Sequence, residues 1–156
     1  MSNTAGMDVG QGDFSIDGWV KTSSTQDFST LASLDFWSPA LYLRGGLQGK
    51  LQFYQNGVGG FTASTAGSFN DGAWHHFAVT RKTAQITYYK DGVESGFAGI
   101  YKTGLFPQKF VIGWDKSTGA DYLNGALDEV DFFSRALTDV EIQSIYNAGS
   151  SGKCVT

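Results

Sequence analysis

Glu129 and Asp131 stand two positions apart in a run, 127–133, that reads as a strand. The side-chain period of a strand is two, so both carboxylates belong on one face. Paired carboxyl groups are the machinery of glycoside hydrolysis, one as acid, the other as nucleophile or base. His75 and His76 are the two imidazoles of the chain. Adjacent on a strand, they point to opposite faces and cannot share one metal. They are read as hydrogen-bonding to a neighbouring loop beside a packing Trp74. No Ser/His/Asp order, glycine-rich phosphate loop or Cys/His metal spacing stands out.

The second chemistry open to this chain is recognition. A sugar presents a hydroxyl rim and an apolar C–H face, so its site wants an aromatic platform flanked by planar polar groups. Tyr42, Arg44, Gln52 and Tyr54 alternate with apolar positions in two strand-like runs and could meet on one sheet face. Trp37, Trp114 and Tyr122 fall in loop-like stretches and could provide a platform at a rim. Ordinary packing is the competing reading for each aromatic; Trp19 and Trp74 are assigned to the core outright. Asp115, Asp121, Asn124 and Asp128 offer the oxygens that calcium takes. Turn-forming aspartates explain them equally, and no loop has the EF-hand pattern.

Positioning these groups takes many short strands. Residues 13–22 place Phe14, Ile16 and Val20 on one face, and 29–34 form a second apolar run. Residues 41–44 and 50–55 alternate, and Asn56-Gly57 is a hairpin-turn signal. Strands are expected over 74–81, 85–90, 110–114 and 127–133, with Asp91-Gly92 as a turn. One helix is expected, about 138–148. Thr138 and Glu141 read as a capping box, Ile142, Ile145 and Tyr146 form its apolar stripe, and Gly149 ends it. With 21 glycines, 2 prolines and 15% aromatic residues, the 156 residues suit one all-β domain. The layout is an N-terminal extension at 1–12, a sandwich at 13–149 and a linker at 150–156.

A net charge of -4 with scattered lysines and arginines excludes the basic stripe that nucleic acid or an anionic membrane needs. No apolar run is long enough to span a bilayer. Residues 1–12 lack the basic and apolar regions of a signal peptide, so the chain is read as cytosolic or as a module of a longer protein. Cys154 is the single cysteine and makes no internal disulfide; a partner could lie beyond the chain.

Three stretches, in order, carry a resemblance. Gly12 to Val20 (GDFSIDGWV) is similar to the "DFTIxAWV" strand of laminin-G-like jelly-roll domains. Asp71 to Arg81 (DGAWHHFAVTR), followed by Tyr89 to Gly92 (YKDG), resembles their "DGxWHHVAVT … LYVDG" core. Gly125 to Thr138 (GALDEVDFFSRALT) resembles their "GxIDEVRIYNRALS" strand-to-helix signature. The resemblance implies a two-sheet antiparallel jelly-roll sandwich with a short C-terminal helix. Arg135 would tie the strand–helix corner, and a rim or structural calcium is expected. Related β-glucanases carry a third carboxylate on the catalytic strand; Phe133 and Ser134 occupy its places here, so no catalytic residue is assigned. The expected role is non-catalytic recognition within a larger secreted or surface protein, with carbohydrate the favoured ligand. Protein–protein adhesion and a structural spacer are the alternatives.

The sequence also departs from that pattern. Lys90 replaces an apolar residue, which suggests a more exposed strand, and Asp131 replaces a basic or polar one. A leading strand usual before the "DFTI" strand is missing. An unfilled edge invites pairing with a second copy, so a homodimer is expected.

Overall fold

The period-two pattern from Phe14 onward becomes β1 (Phe14–Lys21), whose Phe14, Ile16 and Val20 side chains are fully buried. The computed structural model describes residues 7–33, 40–44, 49–54, 68–100, 110–115 and 121–149, with the backbone alone at 40, 43–44, 98–100 and 115. The other strands are β2 (Ser29–Ser33), β3 (Ala40–Arg44), β4 (Lys50–Tyr54), β5 (Trp74–Lys82), β6 (Gln85–Lys90) and β7 (Val93–Ile100). They are followed by β8 (Val111–Ile112), β9 (Trp114–Asp115), β10 (Asp121–Tyr122) and β11 (Ala126–Phe133), and then by α1 (Asp139–Ala148). A five-stranded sheet runs β11-β1-β5-β6-β7 and a four-stranded sheet β4-β3-β2-β8, every described pairing being antiparallel. The hairpin signal at 56–57, the linker at 150–156 and Cys154 lie outside the described residues.

The core lies between these sheets. Phe14, Ile16, Val20, Phe77, Val79 and Ile86 from the larger meet Leu31, Leu41, Leu51 and Phe53 from the smaller. Burying each such side chain contributes about 1.5–3 kcal/mol. Among the described residues a polar bond crosses the core, the amide of Phe53 donating to the Tyr88 hydroxyl at 3.0 Å. Lys90 does not open its strand. It turns inward at the end of β6, donates its amine to the Ser68 carbonyl at 2.6 Å and sits 5.3 Å over the Phe69 ring.

β7 was not expected; its Glu-Ser-Gly-Phe run has neither strict alternation nor a β-branched cluster. The run expected as one strand over 110–114 is split at Gly113, whose φ of 75° breaks it into β8 and β9. β1 is an interior strand, and the described edges of the larger sheet are β11 and β7. Residues ahead of β1 are clasped instead by Arg81, which donates to the Gly10 and Gly12 carbonyls.

β11 carries a bulge. Asp17 pairs with Asp131 but Trp19 with Asp128, so Gly18 faces two residues, Glu129 and Val130. Glu129 takes the extra step at a φ of 47°, a conformation that costs a non-glycine residue energy. A Cβ on Gly18 would lie 2.9 Å from Phe77 Cζ, which is why the smallest residue fills that place.

Part of the outer face of the larger sheet is covered by α1. Ile142 and Leu137 pack on Ala78 and Tyr89, flanked by Phe133 and Ile145. The expected capping box is present: Thr138 Oγ1 accepts from the Glu141 amide at 3.3 Å, and Glu141 accepts from the Thr138 amide at 2.8 Å. Arg135 ties the corner as expected, with a two-pronged bond to Glu141 at 2.9 and 2.7 Å. That bond, with the cap, holds the Glu141 carboxyl down at about 2. A carboxylate with a depressed folded-state pKa stabilises the fold above its unfolded value and loses that contribution as pH falls through the folded one. Acid titration is therefore expected to fray α1 between about pH 4.5 and 2, and Glu141→Gln to remove that step. Circular dichroism of both proteins across this range checks it.

Candidate ligand-binding site

β9 and β10 form a short ladder in which Trp114 pairs with Tyr122 and Asp115 with Asp121. Cross-strand partners share a face, so the indole and the phenol stand side by side. They are also open to solvent, Trp114 at 40% and Tyr122 at 53% exposure. The ladder is anchored from behind. Thr30 donates its hydroxyl to the Asp121 carbonyl, Gly113 donates its amide to the Leu31 carbonyl at 3.0 Å, and Leu123 closes onto Gly113 at 2.9 Å. Gln26 donates its side-chain amide to the Tyr122 carbonyl at 3.3 Å, which places a planar polar group beside the aromatic pair. A chain of side-chain bonds, Ser24 amide to Thr22 hydroxyl and Gln26 amide to Ser24 hydroxyl, sets that loop. Gln26 was not foreseen, since a lone glutamine in a polar loop carries no spacing signal.

A second concavity lies on the outer face of the larger sheet. This cleft of about 330 Å³ is lined by Trp19, Trp74, Asp128, Glu129 and Gly149. Neither tryptophan belongs to the core as expected. Trp74 is 43% exposed and Trp19 half-buried, because both point to the outer face, and α1 covers only part of it. Trp19 stacks on Tyr146 at 5.8 Å and meets His76 edge-on at 5.4 Å. His76 is buried, with Nε2 3.3 Å from Asp17.

The other sequence candidates are placed as follows. Tyr42 and Gln52 are cross-strand partners on one face, as the alternation requires. That face is closed at these positions, with Tyr42 5% and Gln52 1% exposed, so they form no open platform; Tyr42 packs edge-on against Phe28. Tyr54 is half-buried at the end of β4, and Arg44 stands opposite Lys50. Trp37 lies outside the described residues. Asp115 and Asp121 pair across the ladder, the Asn124 carbonyl accepts from Thr22, and Asp128 stands opposite Trp19 in the outer cleft. Among the described residues no three His, Cys, Asp or Glu side chains gather as a metal cage; residues 116–120, between Asp115 and Asp121, lie outside the described residues.

The histidines act structurally, on opposite faces. His75 bridges Asp91 at 2.8 Å and Asp71 at 3.0 Å, while Asp91 also accepts from the His76 amide at 3.0 Å. A backbone bond from Ala73, and then His75, hold the Asp71 carboxyl below its ordinary value. Glu129 and Asp131 do not follow the simple period of two, because the bulge falls at Glu129.

Comparison with known proteins agrees with this architecture. A domain of an extracellular GH43 arabinanase from Geobacillus stearothermophilus, solved with arabinotriose, superposes with a TM-score of 0.62 at 22% identity over 85% of this chain and 66% of that one. A protein from Bacteroides ovatus, whose carbohydrate binding is itself only proposed, gives 0.71 at 18% identity over 86% of this chain and 40% of that one. A pentraxin from Limulus polyphemus gives 0.67 at 15% identity over 90% and 71%. The chain thus spans less than two thirds of the first two, and these identities speak to fold alone. No curated protein matches the chain. A laminin-G-like family model matches residues 2–143, nearly the whole sandwich and its helix, and the chain therefore belongs to the concanavalin A-like lectin/glucanase superfamily.

Proposed function

We propose that this domain is a non-catalytic carbohydrate-recognition module of a larger extracellular protein, and that it holds sugar against the Trp114–Tyr122 ladder. The observation that carries this is the exposed, cross-strand aromatic pair on a braced support. Two rings side by side offer the apolar surface that a pyranose C–H face fits, and the Gln26 amide and neighbouring backbone supply hydrogen bonds to hydroxyls. The arabinanase domain solved with arabinotriose lends support from the same fold. The non-catalytic part rests on β11: Phe133 packs under α1, and no carboxyl follows Asp131 on that strand.

A glycan array, run with calcium and with a chelator, tests the reading. Retention of at least one glycan is expected; its loss on chelation would give calcium a part in binding near Asp115 and Asp121, and its persistence would leave the binding to the aromatic pair. Trp114→Ala and Tyr122→Ala are each expected to weaken the selected glycan by about tenfold or more, the loss typical of an aromatic anchor. Unchanged affinity in both variants would remove the ladder from the site. Silence on the array in both conditions would favour protein adhesion, a reading supported by Val93 and Phe97, both exposed along edge strand β7.

A further inference from the structure

The outer cleft differs from the rim in its charge. Asp128 and Glu129 supply two carboxylates to its wall, and among the described residues neither arginine nor lysine lines it. Gly149, at the C-terminal end of α1, completes the wall, and the last turn of that helix has no basic residue. The partial negative charge at a helix C-terminus is therefore uncompensated by side chains there. Lys21 stands opposite Trp74 in the β1–β5 register but is not part of the lining.

The wall is also held in place. Asp128 accepts the Glu129 amide on Oδ1 at 2.9 Å, and among the described residues nothing takes its Oδ2. Register puts Asp128 directly across from Trp19, and Trp19 is braced from below by His76 and from the side by Tyr146. Trp74 begins β5 with much of its indole in solvent. The described lining thus combines two indoles with two acids.

Indole faces attract cations as well as C–H groups, and a nearby carboxylate adds a charged hydrogen bond to an ammonium. A bare ammonium would fill little of about 330 Å³, whereas a pyranose ring carrying an amine would use both the indoles and the acids. We propose that the Trp19–Trp74–Asp128–Glu129 cleft is a second binding site, separate from the rim ladder, and that its ligand is a protonated amino sugar. The ring lies against the indoles, and its ammonium donates to Asp128 and Glu129. N-acetylation would remove the charge and add bulk, so the free amine is the preferred form.

The test is calorimetry of the whole chain at mildly acidic pH with three β-1,4-linked trimers: glucosamine, N-acetylglucosamine and glucose. The glucosamine trimer is expected to bind about tenfold or more tightly than the other two, and to weaken in high salt. Asp128→Asn and Trp74→Ala, both at exposed or half-exposed positions that the core does not need, are each expected to lower its affinity about tenfold. Glu94→Gln, an exposed acid on β7, controls for nonspecific attraction to an acidic protein and is expected to change nothing. Equal affinity for the three trimers, no binding of the glucosamine trimer, or an Asp128→Asn variant that binds like the parent would overturn the proposal. So would choline binding as tightly as the trimer, since that would assign the site to alkylammonium ions. Trp114→Ala separates the two sites: it should spare the glucosamine response. Neutral glycans that bind through Trp114 while the amine does not would leave the rim standing and remove the cleft.

Discussion

Arg81→Ala is expected to lower the unfolding free energy by roughly 3–5 kcal/mol, the largest single loss outside the aromatic core. Arg81 sits on the inner face of β5 with no solvent exposure, and its guanidinium donates to backbone carbonyls with Asp13 adding a favourable charge. Nε and Nη2 donate to Gly12 at 2.9 and 2.6 Å, and Nη2 to Gly10 at 2.7 Å. The guanidinium also lies 4.8 Å from the centre of the Phe14 ring. Burial lowers its pKa from the ordinary value, but an arginine remains charged at any pH where the domain folds. Truncation therefore removes charged hydrogen bonds, a cation–ring contact and the volume of the stem together. Arg81→Lys keeps charge and stem but not the planar fork, and is expected to recover only part of the loss. Urea denaturation should show a lower midpoint with an unchanged slope. Limited proteolysis should find residues 7–12 newly susceptible. A loss below about 1 kcal/mol would mean that the clasp contributes little.

Ser15→Ala is expected to cost about 2–4 kcal/mol, far above a typical surface serine. The hydroxyl is buried and has two backbone partners. It donates to the Arg135 carbonyl at 3.0 Å and accepts from the Leu137 amide at 2.8 Å. Alanine leaves both groups unpaired at the corner where β11 turns into α1. Because Leu137 then anchors less firmly under the helix, the loss should be visible first as reduced helical signal on heating. Thermal melts followed at helix and tryptophan wavelengths would separate; coincident melts with an unchanged midpoint would show that water replaces the hydroxyl without penalty.

Much of the fold is legible in the residues themselves. The alternation of Phe14, Ile16 and Val20 placed β1, and Thr138 with Glu141 placed the start of α1 within one residue. Arg135 was assigned to the corner it occupies. What alternation cannot say is which face is later covered. Trp74 and Tyr42 both lie on outward strand positions, yet one is open and the other closed, because covering depends on distant segments. Trp114 and Tyr122 were named as separate rim aromatics, and the structure adds that they are partners. The calcium candidates were read from nearness in sequence, and the register adds that Asp115 pairs with Asp121 while Asp128 pairs with Trp19. The bulge at Glu129 has no signature, since glutamate is an improbable residue for a positive φ.

That bulge also determines how the gene could change length here. Leu127 and Phe132 both pack toward the core although five positions separate them, an odd interval that a regular strand would place on opposite faces. The extra residue resets the phase between the two halves of β11. Losing the codon for Glu129 would leave them four positions apart, the even interval of a regular strand, so Leu127 and Phe132 would both stay inward and Asp128 would stay opposite Trp19. A single-codon deletion at the bulge would thus be milder than one in the regularly paired β5, where no extra residue stands ready to absorb it.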